Sequence, residues 1–144
     1  MTVEHTGRTA QDVMHEGALC ISERDSLRMA AQMMRDLQVG SLPICGDDDR
    51  LKGVITDRDI VVKCCASGGN VDETTAGELA SGLVWIDADA SLEDALATME
   101  QHQIKRLPVI RDHRLVGMIT EADLARNLPD GELAEFVHRV YAGV

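Results

Sequence analysis

The sequence predicts an α/β fold in which one β-α-β-β-α unit occurs twice, and two observations support this prediction. The first is a pair of matching segments, LKGVITDRDI at 51–60 and LVGMITEADL at 115–124. The second is a constant spacing between matched residues, which fall at core, turn and helix-capping positions alike and so indicate an internal repeat. Ser26, Leu27, Ala30, Met34, Leu42 and Pro43 recur 65 residues later as Ser91, Leu92, Ala95, Met99, Leu107 and Pro108, and Arg50, Leu51, Gly53, Ile55, Thr56 and Asp59 recur 64 residues later as Arg114, Leu115, Gly117, Ile119, Thr120 and Asp123.

Each matching segment has the pattern of a strand that leads into a helix. The apolar strand is followed by Thr-x-x-Asp, in which Thr56 or Thr120 caps the helix and Asp59 or Asp123 reaches back from its third position. The first turn of such a helix has unpaired backbone N–H groups and a partial positive charge, which suit an anion or a phosphate. The same residues can also act only as helix caps, so the pattern leaves both roles open.

The first unit is assigned to residues 12–66 and begins at DVM (12–14), after a polar, loose N-terminal arm at 1–11. Apolar residues three and four positions apart after Ser26 predict a helix, and Gly40 ends it. The remaining predicted elements of this unit are strands at 18–21, 42–45 and 51–55, an acidic turn at 46–50 and a second helix at 57–66.

A segment rich in Gly, Asn and Asp at 67–76 predicts a linker to the second unit, which is assigned to 77–128. Ser91 and Asp94 predict the start of the first helix in this second unit. Residues 129–144 form a tail in which apolar residues at helical spacing predict a further helix. The predicted elements are strands at 83–86, 107–110 and 115–119, a turn at 111–114, and helices at 121–127 and 131–142.

Composition and charge limit the classes of function. The 44% hydrophobic content of the 144 residues is that of a globular protein with a real core. A net charge of −11, from 25 acidic and 14 basic residues, disfavours nucleic acid and anionic membrane surfaces as partners, because both require a basic surface. A small anionic ligand remains compatible with this charge where basic residues cluster locally.

The sequence also predicts a cytoplasmic location. The N-terminal segment is polar, and no apolar run approaches the length that spans a membrane. The four cysteines, which show no CxxC pair and no zinc-finger spacing, are expected to be reduced and buried in that compartment. These cysteines are Cys20, Cys45, Cys64 and Cys65.

Each unit resembles a cystathionine β-synthase (CBS) domain, and two in tandem resemble a CBS pair, or Bateman module. The residues that carry the resemblance are DVM at 12–14, the Leu-Pro-Ile and Leu-Pro-Val strands, and the segments GVITDRD and GMITEAD. It covers about residues 9–128, nearly the whole chain. Within the family, SLPICGDDDRL and TDRDIV are similar to the small stand-alone pairs called hypoxic response proteins.

The resemblance implies two units packed about a pseudo-twofold axis, with two clefts that commonly hold adenosine nucleotides. Each cleft combines the Thr and Asp of one unit with the first two strands of the other. In this chemistry a carboxylate accepts ribose hydroxyls, helix N–H groups meet phosphate, and apolar residues enclose the base. Carried over by position, cleft A joins Thr120 and Asp123 to Leu19, Val39, Gly40 and Ser41, and cleft B joins Thr56 and Asp59 to Val84, Ile104, Lys105 and Arg106.

Several of these residues have an ordinary structural interpretation as well. Lys105 and Arg106 supply cations suited to phosphate, but they are also compatible with a solvated surface. Trp85 is expected in the core. Four histidines share no ligand spacing and are expected at the surface, although histidines and cysteines distant in sequence can converge on a metal. These histidines are His15, His102, His113 and His138.

The resemblance implies a regulatory protein that is not an enzyme and requires no cofactor. It would bind AMP, ATP or a similar anionic ligand and signal through a change in conformation or assembly, in a hypoxia or stress response, to a protein partner that the sequence does not identify. The alternative is a structural or interaction module with vestigial clefts, or a metal-binding protein. Gly40 and Ser41 favour that alternative for cleft A, because cleft B has Lys105 and Arg106 at the matching positions.

Two further expectations concern assembly and covalent links. Apolar residues around helix 57–66 exceed what one buried face needs, which together with the resemblance predicts a homodimer, with helix 131–142 contributing. The family topology places the strands of Cys20 and Cys45 side by side, within the distance that a disulfide can bridge. This pair is therefore a candidate disulfide outside a reducing compartment.

Overall fold

We describe residues 8–17, 19–80 and 83–142 of a computed structural model of the chain. The chain forms two compact units, a split unit made of Met1–Ala18 and Val84–Val144 and a continuous unit made of Leu19–Leu83. In chain order the elements are α1 (Ala10–Val13), β1 (His15–Glu16), β2 (Ile21–Ser22), α2 (Leu27–Leu37), β3 (Ser41–Cys45), β4 (Leu51–Thr56), α3 (Asp57–Asp59), a π-helix (Ile60–Cys65), α4 (Ala76–Leu79), β5 (Ile86–Asp87), α5 (Leu92–His102), β6 (Arg106–Arg111), β7 (Arg114–Thr120), α6 (Glu121–Asn127) and α7 (Asp130–Val140).

The continuous unit is a three-stranded sheet covered by helices. Strand β2 runs parallel to β3, and β3 is antiparallel to β4, so the order is β2-β3-β4. Ser26 caps α2 by accepting a hydrogen bond from the Met29 amide at 3.1 Å, and Gln38 ends the helix in the left-handed conformation, with a φ of 57°. The α2 side chains at positions 27, 30 and 34 are buried because this spacing places them on one helical face.

The helix predicted at 57–66 is present, but most of it has π-helical hydrogen bonding. Only Asp57–Asp59 is α-helical, and Ile60–Cys65 forms the π-helix. The Ala66 amide donates to the Val61 carbonyl at 2.9 Å, which is a bond across five residues. Ile60 and Cys64 are buried, whereas Val61 and Val62 face solvent.

The segment after the π-helix packs on the continuous unit at residues 74–77. The Leu27 amide donates to the Thr74 carbonyl at 2.9 Å, and the Ala76 amide donates to the Asp25 carbonyl at 2.8 Å. A Cβ atom at Gly77 would lie 2.8 Å from the Glu23 carbonyl oxygen, so only glycine allows this close approach. Residues 74–77 are therefore anchored by backbone hydrogen bonds, although they span the predicted boundary between the linker and the second unit.

The split unit contains a four-stranded sheet in the order β1-β7-β6-β5. Strand β5 is parallel to β6, β6 is antiparallel to β7, and β1 is antiparallel to β7. Helices α5 and α7 close one core, in which Phe136 and Val140 of α7 are buried. The other buried members of this core include Ala10, Val13, Leu92, Met99, Leu107, Val109, Ile119 and Leu124.

The N-terminal segment belongs to the split unit. The Ala10 amide donates to the Ala90 carbonyl at 2.8 Å, and the Leu92 amide donates to the Arg8 carbonyl at 3.0 Å. Residues 1–7 of the predicted loose arm lie outside the described residues, and residues 8–11 are instead held by these hydrogen bonds and by burial of Ala10. The compact units therefore do not coincide with the two sequence repeats.

The α/β class and the repeated order of elements confirm the predicted fold class. Trp85 corrects one prediction, because it precedes β5 and its surface is 46% exposed instead of buried in the core. Across the described ranges, every helix is too short or too polar to cross a lipid bilayer.

A disulfide joins Cys20 and Cys45 in the continuous unit. Cys20 precedes β2, Cys45 ends β3, and these strands are parallel neighbours with Ile21 opposite Ile44. The two Cα atoms are 5.7 Å apart, within the usual range for a disulfide. Cys64 is buried and Cys65 is exposed, and both are free thiols. The expectation that all four cysteines are reduced and buried is therefore wrong for Cys65 and for the bridged pair.

We expect the bridge to form on air oxidation and to stabilise the protein. The cysteines are 25 residues apart, and closing a loop of this length stabilises by about 3 kcal/mol in the chain-entropy model. Urea unfolding of the oxidised protein and of Cys20→Ser should show this difference, which dithiothreitol should abolish. Cys65→Ser is the matched control and should unfold like the oxidised parent protein. Peptide mapping that finds Cys20 and Cys45 alkylated, or linked to another cysteine, would contradict the prediction.

Candidate functional site

The junction between β4 and α3 is a complete capping box in the continuous unit. The Asp59 amide donates to Thr56 Oγ1 at 3.0 Å, and the Thr56 amide donates to Asp59 Oδ2 at 3.0 Å. The second carboxylate oxygen, Oδ1, lies 3.2 Å from Lys63 Nζ, and the Asp59 side chain is 14% exposed. Since Lys63 is half exposed, it can rotate away and leave this oxygen free to accept a ligand hydroxyl.

The start of β3 lies beside this capping box. Ser41 is the register partner of Thr56, and the Asp57 amide donates to the Gly40 carbonyl at 2.9 Å. Ser41 is only 8% exposed, and its hydroxyl has no hydrogen-bond partner among the described residues. A buried hydroxyl without a partner is energetically costly, so a polar ligand at this position would satisfy it.

Leu19 and Val39 complete the predicted residues of the continuous unit. Leu19 is exposed, which suits an apolar contact with a base. Val39 is half-buried against the core, and its amide donates to the Met34 carbonyl at 3.0 Å. The structure thus brings Gly40 and Ser41, which the sequence assigned to cleft A, next to Thr56 of predicted cleft B within one unit.

The matching junction in the split unit, between β7 and α6, is more deeply buried. The Thr120 amide and hydroxyl donate to Asp123 Oδ2 at 2.9 and 3.0 Å. The Asp123 side chain is 2% exposed and has two additional partners. His15 Nδ1 lies 2.8 Å from Oδ2, and Arg126 forms an ion pair with Oδ1. Both oxygens of this carboxylate are therefore already bonded within the protein.

The basic residues predicted for cleft B lie at the start of β6. Arg106 is the register partner of Thr120. Lys105 Nζ is 4.3 Å from the centre of the Tyr141 ring, a cation–π contact with the end of α7. The Tyr141 hydroxyl donates to Glu121 Oε1 at 2.9 Å, which fixes the ring. Lys105 is therefore partly engaged by the C-terminal helix.

Val84 and Ile104 are partly buried against the core of the split unit. The structure places Val84, Ile104, Lys105, Arg106, Thr120 and Asp123 in this unit, and Leu19, Val39, Gly40, Ser41, Thr56 and Asp59 in the continuous unit. The predicted clefts combine residues from both units, and this combination remains a prediction.

Sequence reasoning missed His15 and Arg126 as partners of Asp123. A third repeat signal was available, because TAQDVM at 9–14 matches TAGELA at 75–80 with an offset of 66. These segments form α1 and α4, each with a capping box. This match places the two segments at equivalent positions and would have shown that the N-terminal arm is part of the fold.

The chain belongs to the CBS-domain family, because the CBS domain model matches residues 10–64 and 76–130. It is similar to Hypoxic response protein 1 of Mycobacterium tuberculosis, with 51% identity over 133 residues, covering 92% of this chain and 93% of the relative. It is 36% identical over 130 residues to the CBS domain-containing protein YhcV of Bacillus subtilis, covering 88% of this chain and 89% of that protein.

A solved structure is similar as well. The crystal structure of Hypoxic Response Protein I with two coordinated zinc ions has a TM-score of 0.79 and 55% sequence identity, covering 84% of this chain and 99% of that chain. The similarity to Hypoxic response protein 1 and to this solved structure confirms the resemblance predicted from the sequence.

The two capping boxes predict unequal effects on stability. Asp59→Ala removes a helix cap and should lower the free energy of unfolding by about 1 kcal/mol. Asp123→Ala removes a buried carboxylate that bonds to Thr120, His15 and Arg126, and should cost about 3 kcal/mol. Urea unfolding of the two variants measures the difference. Equal losses would show that the extra bonds of Asp123 add nothing to stability.

Proposed function

We propose that this CBS-pair protein is a regulatory module that binds an adenosine nucleotide. The observation that carries the proposal is the buried, unpartnered hydroxyl of Ser41 beside the capping box of Thr56 and Asp59. Such a hydroxyl is expected where a polar ligand completes the hydrogen bonding. The family match supports this class of ligand, since each repeat has the strand-to-helix junction that CBS domains use.

In this proposal Asp59 accepts the ribose hydroxyls through the oxygen that faces Lys63. The Thr56 hydroxyl accepts from the Asp59 amide at 3.0 Å and keeps its own hydrogen to donate toward a ligand oxygen. The contribution of positive charge by Lys105 and Arg106, which belong to the other unit, stays a prediction from the sequence. Nothing in this arrangement provides an activated nucleophile, so the proposed role is recognition and not catalysis.

The proposed output is a change in conformation or assembly that a protein partner reads. The high identity to Hypoxic response protein 1 supports a role in the response to low oxygen or related stress. The assignment to the cytoplasm remains a prediction from the sequence.

Zinc is a second ligand suggested by comparison with the zinc-bound structure. Within the described ranges, no group of three or more His, Cys, Asp or Glu side chains is arranged to hold a metal ion. His15 and Asp123 are close but make up only two donors, and Cys20 and Cys45 are bonded to each other. A structural zinc site usually has four protein ligands, so the described residues do not fit one within a single chain.

Asp59→Ala should weaken binding of AMP or ATP by about 1–3 kcal/mol, because the ribose loses its charged acceptor. Asp59→Asn should lose less, since one acceptor oxygen remains. Isothermal titration calorimetry measures both affinities. Asp94→Ala is the matched control, because Asp94 also occupies the third position of a capped helix but has no proposed ligand role. Unchanged affinity in a folded Asp59→Ala protein would leave Asp59 as a helix cap only.

We also propose that the protein is a homodimer. Val61 and Val62 of the π-helix are 59% and 46% exposed, and Val137 of α7 is exposed as well. Exposed apolar side chains at adjacent helical positions are typical of an interface.

Light scattering at about 50 μM should give the dimer mass, and Val62→Asp should shift it toward the monomer because a charge would be buried. Leu83→Asp is a control at an exposed apolar residue outside the helices. A monomer in the parent protein at this concentration would rule out the proposed dimer.

A further inference from the structure

The two capping boxes differ in what already occupies the aspartate. Asp59 has one oxygen bonded to the Thr56 amide and the other beside the half-exposed side chain of Lys63. Asp123 has three donors on Oδ2 and an arginine on Oδ1, and its side chain is 2% exposed. A carboxylate offers about four acceptor positions, so Asp123 has almost no capacity left for two ribose hydroxyls.

Asp123 has one partner with no counterpart at Asp59, and this partner is His15 of the N-terminal segment. His15 Nδ1 lies 2.8 Å from Asp123 Oδ2, and an imidazole N–H on this nitrogen donates to the carboxylate. The imidazole is 47% exposed, so it lies on the solvent side of a carboxylate that is otherwise buried. Arg126 is also exposed, at 64%, but it contacts Oδ1, the oxygen that corresponds to the one beside Lys63 in Asp59, so His15 on Oδ2 is the contact that the Asp59 box lacks.

The backbone holds His15 in this position. His15 and Glu16 form β1 and pair with Met118 and Gly117 of β7. A Cβ atom at Gly117 would lie 2.8 Å from the His15 carbonyl oxygen, so the glycine is what lets the segment approach the strand this closely. Arg8 donates to the Asn127 carbonyl at 3.0 Å, at the end of α6. The segment is thus fixed on both sides of the Thr120–Asp123 box.

We propose that His15 closes the Thr120–Asp123 box to ribose, so that each chain binds one adenosine nucleotide, at Asp59. The N-terminal segment 8–17 acts as a plug, and undocking of β1 opens a second site. This inference rests on the nucleotide binding proposed above and adds its stoichiometry and control. The switch element in this proposal is the hydrogen bond between His15 and Asp123. It joins residues 108 positions apart, so it breaks when β1 undocks from β7.

Calorimetric titration with AMP tests the proposal in the full chain. The parent protein should bind one AMP per chain, and His15→Ala should bind two, because the imidazole no longer covers Asp123. His15→Asn should still bind one, since its amide nitrogen can occupy the place of Nδ1 and keep the hydrogen bond. Arg126→Ala is the matched control that removes a different Asp123 partner, and it should also bind one.

A second series separates this proposal from the proposed function. Asp59→Ala should weaken its single AMP site about 5- to 150-fold. Asp59→Ala combined with His15→Ala should regain one equivalent of tight binding, which a further Asp123→Ala removes. If the parent protein does not bind AMP but His15→Ala does, the site at Asp59 is wrong and the plug is supported. If His15→Ala binds no more AMP than the parent, or if the parent already binds two, the plug is overturned. Melting temperatures identify any variant that fails to fold. If His15→Ala is such a variant, His15→Asn and Arg126→Ala decide, since each should bind one AMP per chain and a second equivalent in either would overturn the plug.

Discussion

The rest of the structure depends on one local interaction, the reciprocal pairing of Thr and Asp at the junction between a strand and a helix. The threonine hydroxyl binds the third amide of the helix, and the aspartate returns to the threonine amide, so two unpaired donors are satisfied together. This pairing fixes where the strand ends and how the helix departs. It also places a carboxylate and a hydroxyl side by side on each unit.

The two junctions have diverged because their surroundings differ. In the continuous unit the box borders Ser41, a buried hydroxyl with no partner among the described residues, and a lysine that is half exposed. In the split unit the same box is covered by His15 and paired with Arg126. The two carboxylates therefore have unequal numbers of protein partners. Asp123 accepts from Thr120, His15 and Arg126, whereas one oxygen of Asp59 contacts only the half-exposed Lys63.

The short helix that precedes each repeat packs on the other repeat, and this arrangement explains why the two aspartates have different partners. Helices α1 and α4 occupy equivalent positions in the repeat, and each docks through backbone hydrogen bonds, Ala10 to Ala90 and Ala76 to Asp25. The segment after α1 continues into β1 and brings His15 to Asp123. The residue 66 positions after His15 is Ser81, which lies outside the described residues and has no imidazole to offer. A similar backbone frame can thus carry different side-chain chemistry.

The sequence alone determined the repeat, the element order and the capping boxes, because these depend on residues within a few positions of each other and on a constant offset. Thr56, Asp59, Thr120 and Asp123 were predicted from Thr-x-x-Asp, and their hydrogen bonds follow that pattern. Tertiary structure decided which unit the N-terminal segment joins and which donors reach Asp123. It also decided that Trp85 is exposed. The contact of His15 with Asp123 spans 108 residues and depends on strand pairing with β7, and no local pattern encodes the partner of a strand of two residues.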